Sequence, residues 1–500
     1  MDHSAAPTVP LRSAAGRGVV AAAVLGSSVA MLDGTVVNVA LPHIARDLGA
    51  QMDGLQWIVN GYTLTLAALV LLGGALGDRY GRRRVFLIGV IWFGVASMLC
   101  GVAPNTPLLV GARILQGIGA GLLTPGSLAM IQSSIRRGDR AAAIGMWSGL
   151  GGVAAAAGPF LGGWMVDALS WHWVFFINAP VVVLAVLAAL KWVPESRGEG
   201  AVGRFDVAGS VLGAVGLAGI TYALVQTDPL GPAIAAGVIG VASFAAFLIW
   251  ERRAADPVLP PTLFASRQFS GINATTFFVY AALGGVLFFL VLYLQVVAGY
   301  SALTAGISLL PFTILMLLFS SRAGALGERI GPRRPLTVGP ALSAAGVLLF
   351  LRIDAEADYL TEVLPAVLLL GIGMTITVAP LTASVLAAAD QSHAGVASGV
   401  NNAVARAASL LAVAALPLLS GLTGDAYEDP AAFTSGFRTA TFWCAGLLAT
   451  GAVISALFVR DPAREPDCPR PAAHTHCAYD APPLDPGVRQ DAGGRLRSRS

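Results

Sequence analysis

The feature that most constrains this chain is a series of fourteen apolar runs, each long enough for an α-helix to cross a membrane, which takes about 20 residues. Hydrophobic residues make up 56% of the 500 residues and charged residues only 12%, whereas a soluble domain carries about 25% charged residues. The runs predict an all-α polytopic membrane protein. Numbered in chain order, the predicted helices cover residues 18–41, 55–76, 85–103, 107–131, 142–166, 171–192, 206–226, 231–250, 270–297, 302–320, 335–352, 360–385, 395–420 and 437–459.

The first run follows Arg12 and Arg17, an arrangement that is typical of a secretory signal peptide. However, this run is long enough to cross the membrane, and similar runs follow it. We therefore interpret it as an uncleaved first helix.

Basic residues are distributed unevenly between the loops. If the N-terminus is cytoplasmic, the inside loops contain Arg79, Arg82, Arg83, Arg84, Arg136, Arg137, Arg140, Lys191, Arg197, Arg204, Arg252, Arg253, Arg267, Arg322, Arg329, Arg333 and Arg334. The outside loops contain Arg46, Arg352 and, at a helix edge, Arg438, together with the acids Asp354, Glu356, Asp358, Asp425, Glu428 and Asp429. This asymmetry predicts that both termini are cytoplasmic. The inside loop around Asp390 and His393 lacks basic residues and is the weakest point of that topology.

One loop sequence occurs twice. "GALGDRYGRRRVFLIG" (74–89) returns as "GALGERIGPRRPLTVG" (324–339), with nine of sixteen positions identical. Both copies join two predicted helices on the inside, which indicates parallel repeats of six helices with helices 7 and 8 inserted between them. The predicted segments are a cytoplasmic N-terminus 1–17, a six-helix bundle 18–192, a linker 193–205, two additional helices 206–250, a linker 251–269, a second six-helix bundle 270–459 and a disordered cytoplasmic tail 460–500.

Several classes of function are excluded or disfavoured by missing motifs. The only lysine, Lys191, is not in a P-loop, so the chain has no Walker-type ATPase of its own. There is no H-E-x-x-H and no G-x-S-x-G, which argues against an intramembrane enzyme. The tail contains Cys468, His474, His476 and Cys477, but their spacing matches no standard zinc pattern, so a solvated tail is favoured over a metal site. Cys100 and Cys444 read as small apolar core residues, and no cofactor, metal or nucleic acid is expected.

Asp33 is the only carboxylate deep inside a predicted helix. A charge at the centre of the bilayer costs on the order of 3 kcal/mol or more, so residues of this kind are functional by default. Because burial favours the neutral acid, Asp33 is a candidate proton-binding group. The alternative is a structural acid that is tied to a partner or a helix end.

Arg113 in helix 4 is the predicted partner of Asp33. Counted at 1.5 Å per residue from the outer helix ends, the two side chains lie at similar depths, about 9 and 12 Å. Gln116, one turn further along, shares the face of Arg113. Arg406 in helix 13 is a second buried arginine, for which a role in the cavity and a role in bracing the bundle remain equally open.

Glycines suggest where helices approach closely and move. In helix 5, "GLGGVAAAAGPFLGG" contains Gly158, Pro159, Gly162 and Gly163, a small-residue face that suits sliding contacts or close static packing. In the first copy of the repeated loop, the arginines could simply mark topology, but Asp78 could cap a neighbouring helix N-terminus, and a cap formed in only one conformation would act as a latch. The candidate latch residues are Gly74, Gly77, Asp78, Arg79, Gly81 and Arg83.

A transport cavity also needs polar and aromatic lining. Besides Gln116 and Arg406, the candidate lining residues are Asn38, Tyr62, Tyr222, Gln226, Asn273, Tyr280, Tyr293 and Gln295. Each of these could equally be a satisfied helix–helix contact.

Together, these segments resemble the major facilitator superfamily, and within it the fourteen-helix drug:proton antiporters. The resemblance rests on "GALGDRYGRRRVFL", "ARILQGIGAGLLTPGSLAMI" (112–131), "GPFLGG" (158–163) and "LDGTVVNVALP" (32–42), and it extends over residues 18 to 460. The chain departs from the family pattern at Ala154, where glycine is usual, at Gln226, where an acid is frequent, and in the alanine-rich part of helix 13.

The resemblance implies alternating access between two bundles in a bacterial cell membrane. It also implies proton coupling by Asp33 and Arg113, and a latch that includes Asp78 and Arg79. We therefore predict a monomeric, proton-driven exporter of amphipathic small molecules, such as drugs, antibiotics or secondary metabolites. The alternatives are a facilitator or importer of the same fold and, less favoured, a membrane sensor without transport.

Overall fold

The computed structural model describes residues 8–197, 206–226, 228–255, 257, 259–388, 394–424 and 429–461. Within these residues, fourteen helices are long and apolar enough to cross a membrane, which confirms the predicted fold class. They are Ala14–Leu48, Met52–Tyr80, Arg82–Gly101, Thr106–Ser134, Arg137–Ala168, Trp173–Trp192, Val207–Val225, Leu230–Glu251, Arg267–Val296, Ala302–Ile330, Arg333–Arg352, Tyr359–Ala387, Val396–Leu419 and Pro430–Phe458. In the following, helices 1 to 14 have these bounds. The predictions for Arg204, Asp390, His393, Asp425, Glu428, Cys468, His474, His476 and Cys477 lie outside the described residues.

Most helices are longer than their apolar runs because polar side chains cap their ends. Helix 1 starts after Ser13, whose hydroxyl accepts a hydrogen bond from the backbone N–H of Gly16, and it ends at Gly49, which has a φ of 63°. A side chain at the N-cap accepts a backbone N–H in several other helices. These caps are Asn105, Asp206, Ser266, Ser301, Asp358 and Asp429. The apolar run therefore locates each helix, and the caps decide where it ends.

Helices 7 and 8, which lie between the two predicted repeats, pack against each other at glycines. A side chain at Gly219 would lie 2.7 Å from the Cα atom of Gly240, so the two backbones touch there. Helix 7 also packs against helix 2 of the first half and helix 13 of the second half. The inserted pair thus lies beside a seam between the halves.

The buried apolar residues show where the two halves meet. One core cluster contains residues of both halves, including Leu41 and Met52 near the junction of helices 1 and 2, and Leu292 and Ala302 near the junction of helices 9 and 10. A second cluster contains only residues of the first half, such as Phe86 and Val193. A third contains only residues of the second half, such as Phe269, Leu336 and Val459. The halves therefore share a core at one end, which we call the joined end, and have separate cores towards the other, the separate end.

Polar contacts between the halves lie in the shared region. The Gln56 side chain of helix 2 donates hydrogen bonds to the carbonyls of Val413 and Ala414 in helix 13, at 2.8 and 2.9 Å. The Gln295 amide of helix 9 donates to the carbonyl of Val39 in helix 1 at 3.0 Å. Hydrogen bonds between side chains and backbone thus reinforce the apolar closure at the joined end.

Candidate functional site

Helices 1 and 4 bring Asp33 and Arg113 into direct contact. The Nη1 atom of Arg113 lies 2.5 Å from Oδ2 of Asp33, and the side chains are 2% and 0% exposed. The pairing expected from their similar depths is therefore present in the structure. Because both charges are removed from water, each depends on the other, and loss of either partner leaves an uncompensated buried charge.

The second oxygen of Asp33 accepts hydrogen bonds from two amides. Gln116 donates through Nε2 at 2.8 Å, and Asn178 of helix 6 donates through Nδ2 at 3.2 Å. Asn178 also donates to the Ser97 hydroxyl at 3.0 Å, which in turn donates to the carbonyl of Phe175 at 2.9 Å. Asp33 thus accepts hydrogen bonds from three side chains on two helices, Arg113 and Gln116 of helix 4 and Asn178 of helix 6.

Arg113 is enclosed as completely as its partner. Its Nε donates to the carbonyl of Ile58 at 2.9 Å, and Nη1 also donates to Oε1 of Gln116 at 2.6 Å. The guanidinium carbon lies 4.4 Å from the centroid of the Tyr62 ring, which is within the range of cation–π attraction. The Tyr62 hydroxyl donates to the carbonyl of Ala30 at 3.1 Å, so it links helix 2 to helix 1. We call Asp33, Arg113, Gln116, Asn178 and Tyr62 the polar cluster.

Sequence reasoning missed Asn178 as a member of this cluster. Its signal was present, because an amide inside the apolar stretch "WVFFINAPVVVL" has to find a buried partner. Its only side-chain oxygen, Oδ1, has no hydrogen-bond partner in the structure. Cys100 is buried beside the cluster, with its sulfur 3.6 Å from Oε1 of Gln116.

The remaining cavity candidates are spread over several environments. Asn38 is partly exposed and donates to the carbonyl of Gly34 in its own helix. The Tyr222 ring lies 6.0 Å from that of Trp57, in the contact of helix 7 with helix 2. Gln226 lies at the end of helix 7 and donates to the carbonyl of Asp228 at 2.7 Å. The structure does not bring these three residues into the polar cluster.

In the second half, Asn273 and Tyr280 of helix 9 lie along helix 13. The Asn401 amide donates to Oδ1 of Asn273 at 3.1 Å and to the Thr276 hydroxyl at 2.7 Å. Tyr280 is partly buried. Tyr293 lies further along helix 9, where its ring stacks on Phe437 at 4.2 Å, so it belongs to the apolar core. Gln295, as described above, takes part in the contact between the halves.

The repeated loop differs in one respect from the expectation for Asp78. Asp78 accepts from Nε of Arg82 at 2.8 Å, one turn along the chain. The carboxylate that caps helix 3 is instead Glu195, which follows helix 6 and accepts the backbone N–H groups of Arg83 and Arg84 at 3.1 and 3.2 Å. At Gly81, where φ is 113°, a side chain would lie 2.7 Å from the Glu195 carboxylate, so only glycine fits there.

The other latch candidates surround this contact. Arg83 also donates from Nη1 to the carbonyl of Val193 at 3.1 Å, and the guanidinium of Arg79 lies 5.8 Å from the ring of Tyr80. Gly74 faces Pro125 of helix 4, and Gly77 faces Arg82. All of these contacts are within the first half.

The glycines of helix 5 contact two different helices. A side chain at Gly158 would collide with Thr35 of helix 1, and one at Gly162 would lie 3.1 Å from Val36 of the same helix. A side chain at Gly163 would lie 2.5 Å from the Cα atom of Leu303 in helix 10, which belongs to the second half. The carbonyl of Pro159 lies against Gly306 in the same helix. The small-residue face therefore joins helix 5 to its own half on one side and to the opposite half on the other.

Asp167, at the end of helix 5, strengthens this contact between the halves. Its carboxylate accepts the backbone N–H groups of Ala302 and Leu303, at 3.2 and 2.9 Å, and so caps helix 10 of the opposite half. Further along the same two helices lies an apolar cleft of about 360 Å³, lined by residues such as Val153 and Ile314.

Comparisons with known proteins place this architecture in a family. The sequence pattern described as Major Facilitator Superfamily matches residues 23–413. The chain is 36% identical over 450 residues to the puromycin resistance protein pur8 of Streptomyces alboniger, covering 86% of this chain and 88% of that protein. It is 35% identical to the tetracenomycin C resistance and export protein of Streptomyces glaucescens, covering 82% and 77% of the two chains. It is 34% identical to the methylenomycin A resistance protein of Bacillus subtilis, covering 87% and 94%.

Solved structures show the same fold at low sequence identity. A POT family transporter in complex with a thioalcohol-conjugated peptide superposes with a TM-score of 0.67 at 15% identity, over 89% of this chain and 97% of that one. A D-xylose–proton symporter gives a TM-score of 0.64 at 16% identity, over 89% and 98%. The predicted family is confirmed: the chain belongs to the major facilitator superfamily and is a non-enzymatic, multi-pass transporter of the cell membrane.

Proposed function

We propose that this protein exports small amphipathic molecules from the cytoplasm in exchange for protons. Export is supported by the relatives, which are named for resistance to puromycin and methylenomycin A and for resistance to and export of tetracenomycin C. Exchange for protons is supported by one observation above all, the fully buried Asp33–Arg113 pair. An acid in this position is costly, and a reversible change of its charge is the most direct reason to keep it.

The orientation predicted from the charged loops indicates on which side of the membrane this conformation is closed. The joined end contains the loop after helix 1, which is predicted to be outside, so the shared core closes the outer side. The separate cores then face the cytoplasm, and this conformation corresponds to a state that receives substrate from the cytoplasm. The reverse state requires separation of Gln295 from Val39 and of Asp167 from Leu303.

Protonation of Asp33 would change which state is favoured. A neutral Asp33 no longer balances Arg113, and an unpaired buried guanidinium costs several kcal/mol unless water reaches it. In this proposal the protonated site is favoured when it is open to the outside and hydrated, and the ionised pair is favoured when the site is buried. Return from the outward-open state then carries a proton inwards, and the opposite transition carries substrate outwards. Each charge that crosses gains about 2.3 kcal/mol per 100 mV of membrane potential.

The apolar surface between helices 5 and 10 suits the apolar part of such a substrate. The cleft of about 360 Å³ there is lined by Val153, Ala156, Ala157, Phe160, Leu310, Thr313, Ile314 and Leu317. Both halves of the transport unit are in one polypeptide, so we propose that a monomer is sufficient for transport and that no ATPase domain is required.

Transport into inverted membrane vesicles tests this proposal. With puromycin, tetracenomycin C and methylenomycin A as probes, we expect uptake of at least one compound that depends on an imposed pH gradient. Asp33→Asn should abolish the gradient-dependent part. Asp53→Asn is the matched control, because Asp53 lies in the first turn of helix 2, where its carboxylate accepts the N–H of Gly54.

Two results would contradict the proposal. Uptake that persists after the proton gradient has been collapsed would remove proton coupling. Uptake that is equal in the wild type and in Asp33→Asn would indicate a facilitator of the same fold.

A further inference from the structure

Three charged side chains lie in the middle of the described helices and inside the bundle. Two of them, Asp33 and Arg113, neutralise each other. The third is Arg406, near the midpoint of helix 13, where it is partly exposed. Other charged residues of the described helices lie near helix ends or, like Arg322 and Arg438, at exposed positions.

Arg406 has no acidic partner in the described part of the chain. The ion pairs found there at up to 4.0 Å join Arg82 to Asp78, Arg83 to Glu195 and Arg113 to Asp33, and none includes Arg406. Arginine stays protonated in proteins, so this charge persists at every physiological pH. A mid-membrane cation without a partner is costly, and such residues characteristically face a water-filled or substrate pathway.

The packing of helices 9 and 13 defines the surroundings of Arg406. The two helices run side by side, with Asn401 bonded to Thr276 at one point and Gly284 close to Ser409 further along, where a side chain on Gly284 would lie 3.0 Å from the Ser409 Cα atom. Tyr280 lies between these two points on helix 9, as Arg406 does on helix 13.

Helix 13, which carries Arg406, also packs against helix 2 of the opposite half. Gln56 of helix 2 bonds to the carbonyls of Val413 and Ala414, and Leu71 of helix 2 lies against Gly399, so Tyr62 on helix 2 and Arg406 on helix 13 both lie between these two contacts. The ring of Tyr62 is already in contact with Arg113. Arg406 is therefore positioned across from the polar cluster, on the other half of the molecule.

We propose that Arg406 binds an acidic oxygen of the exported molecule, and that the protein exports organic anions with an apolar body. The acidic group is a carboxylate, a sulfonate or an ionised phenol. Because the polar cluster is neutral as a pair, Arg406 sets the net charge of the pathway. A cationic drug would meet repulsion there, and the carboxylate of Asp33 is unavailable to it, being fully buried and occupied by Arg113, Gln116 and Asn178. This inference deepens the proposed function and rests on it.

Anion export has a consequence for energetics. When a monovalent anion leaves the cell and when a proton enters it, the inside of the cell becomes more positive by one charge in each case. The membrane potential therefore assists both movements, whereas exchange of a monovalent cation for one proton is electrically neutral. Export of an anion should accordingly be accelerated by an inside-negative potential in the absence of a pH gradient.

Equilibrium binding to the purified protein in lipid nanodiscs tests the inference without any proton gradient. The probes are sulforhodamine B, a xanthene dye with net negative charge, and tetramethylrhodamine methyl ester, a xanthene cation. Empty nanodiscs supply the correction for dye in the lipid. We expect the anion to bind about ten-fold or more tightly than the cation, since a hydrogen bond to a charged group is worth at least that factor.

Variants of Arg406 separate a binding role from a structural one. Arg406→Gln should weaken anion binding about ten-fold or more while leaving cation binding equal or stronger, which also shows that the variant is folded. Arg406→Lys keeps the charge and should retain most of the anion affinity. The inference is wrong if the cation binds the wild type as tightly as the anion, if Arg406→Gln binds the anion like the wild type, or if no saturable anion binding occurs. Loss of gradient-driven uptake together with intact anion preference would remove only the proton coupling.

Discussion

The two halves of this transporter share an architecture but differ in how they hold charge in the membrane. In the first half, a carboxylate and a guanidinium neutralise each other inside a buried network of hydrogen-bonding side chains. In the second half, helices 9 and 12 carry charged residues only near their ends, and a single arginine lies on helix 13 without an acidic partner in the described residues. The two copies of the loop agree at nine of sixteen positions, but the halves differ in the charged residues that they hold inside the membrane.

This difference suggests a division of labour. A neutral, closed network is suited to an event that changes its charge by one proton. An open, permanently charged side chain is suited to attracting a counter-charge from solution. Under the two proposals above, each half would bind one of the two transported species.

The largest expected effect distinguishes the paired charge from the unpaired one. Arg113→Leu leaves Asp33 buried without its counter-charge and should destabilise the protein by about 3–5 kcal/mol, whereas replacing both partners by leucine should restore much of that loss. Arg406→Leu leaves no acidic residue among the described residues without its counter-charge, so it should leave the free energy of unfolding unchanged or raise it. Thermal unfolding of the purified variants in one detergent measures this comparison. A destabilisation by Arg406→Leu as large as that by Arg113→Leu would contradict the distinction between the halves.

A smaller effect is expected where one half caps a helix of the other. Asp167→Ala removes the carboxylate that caps helix 10 across the two halves, and a cap of this kind contributes about 1 kcal/mol. The closed state of the joined end should then lose about a factor of five in population. Spin-label distances between the facing ends of helices 5 and 10 report this shift.

Asp358→Ala is the matched control for Asp167→Ala. Asp358 caps its own helix, accepting the N–H of Thr361 at 2.9 Å, so its loss should leave the distance between the halves unchanged. Equal distance distributions in the Asp167→Ala variant and the wild type would show that the contact does not hold the halves together.

The smallest effect concerns the repeated loops. Glu195 caps helix 3 from the segment after helix 6, but it is 36% exposed, so Glu195→Ala should cost only about 0.5–1 kcal/mol. Glu328→Ala in the second copy of the loop is the control, because Glu328 is exposed. Urea unfolding of both variants should show a loss only for Glu195→Ala. A similar loss in both would assign the effect to loop charge rather than to the cap.

The number and position of the helices were predictable because hydrophobicity is a local property. A run of about 20 apolar residues crosses the membrane wherever it occurs in the chain. Asp33 and Arg113 were predictable as exceptional residues for the same reason, since a charge inside such a run needs an explanation. Their contact followed from their depth along two helices, which requires only the rise per residue.

Partners that depend on helix rotation and on distant segments were not predictable. Asn178, Glu195 and Asp167 are ordinary polar residues in sequence, and each becomes important only because another helix presents a carboxylate or free N–H groups to it. Asp78 is an example, because its carboxylate could accept the N–H groups at a helix start. In the structure Glu195 accepts those of helix 3, and Asp78 pairs with Arg82 instead.

The amino-acid sequence by itself thus determined that this chain crosses the membrane fourteen times and keeps an acid and a guanidinium within it. Only the tertiary structure decided that the Asp33 carboxylate accepts hydrogen bonds from three side chains and that Arg406 has no acidic partner among the described residues. The physical reason is that the free-energy cost of placing a charge in the membrane follows from its position within an apolar run, which is a local property of the sequence. The groups that compensate this charge depend on which helices pack against it and on how those helices are rotated.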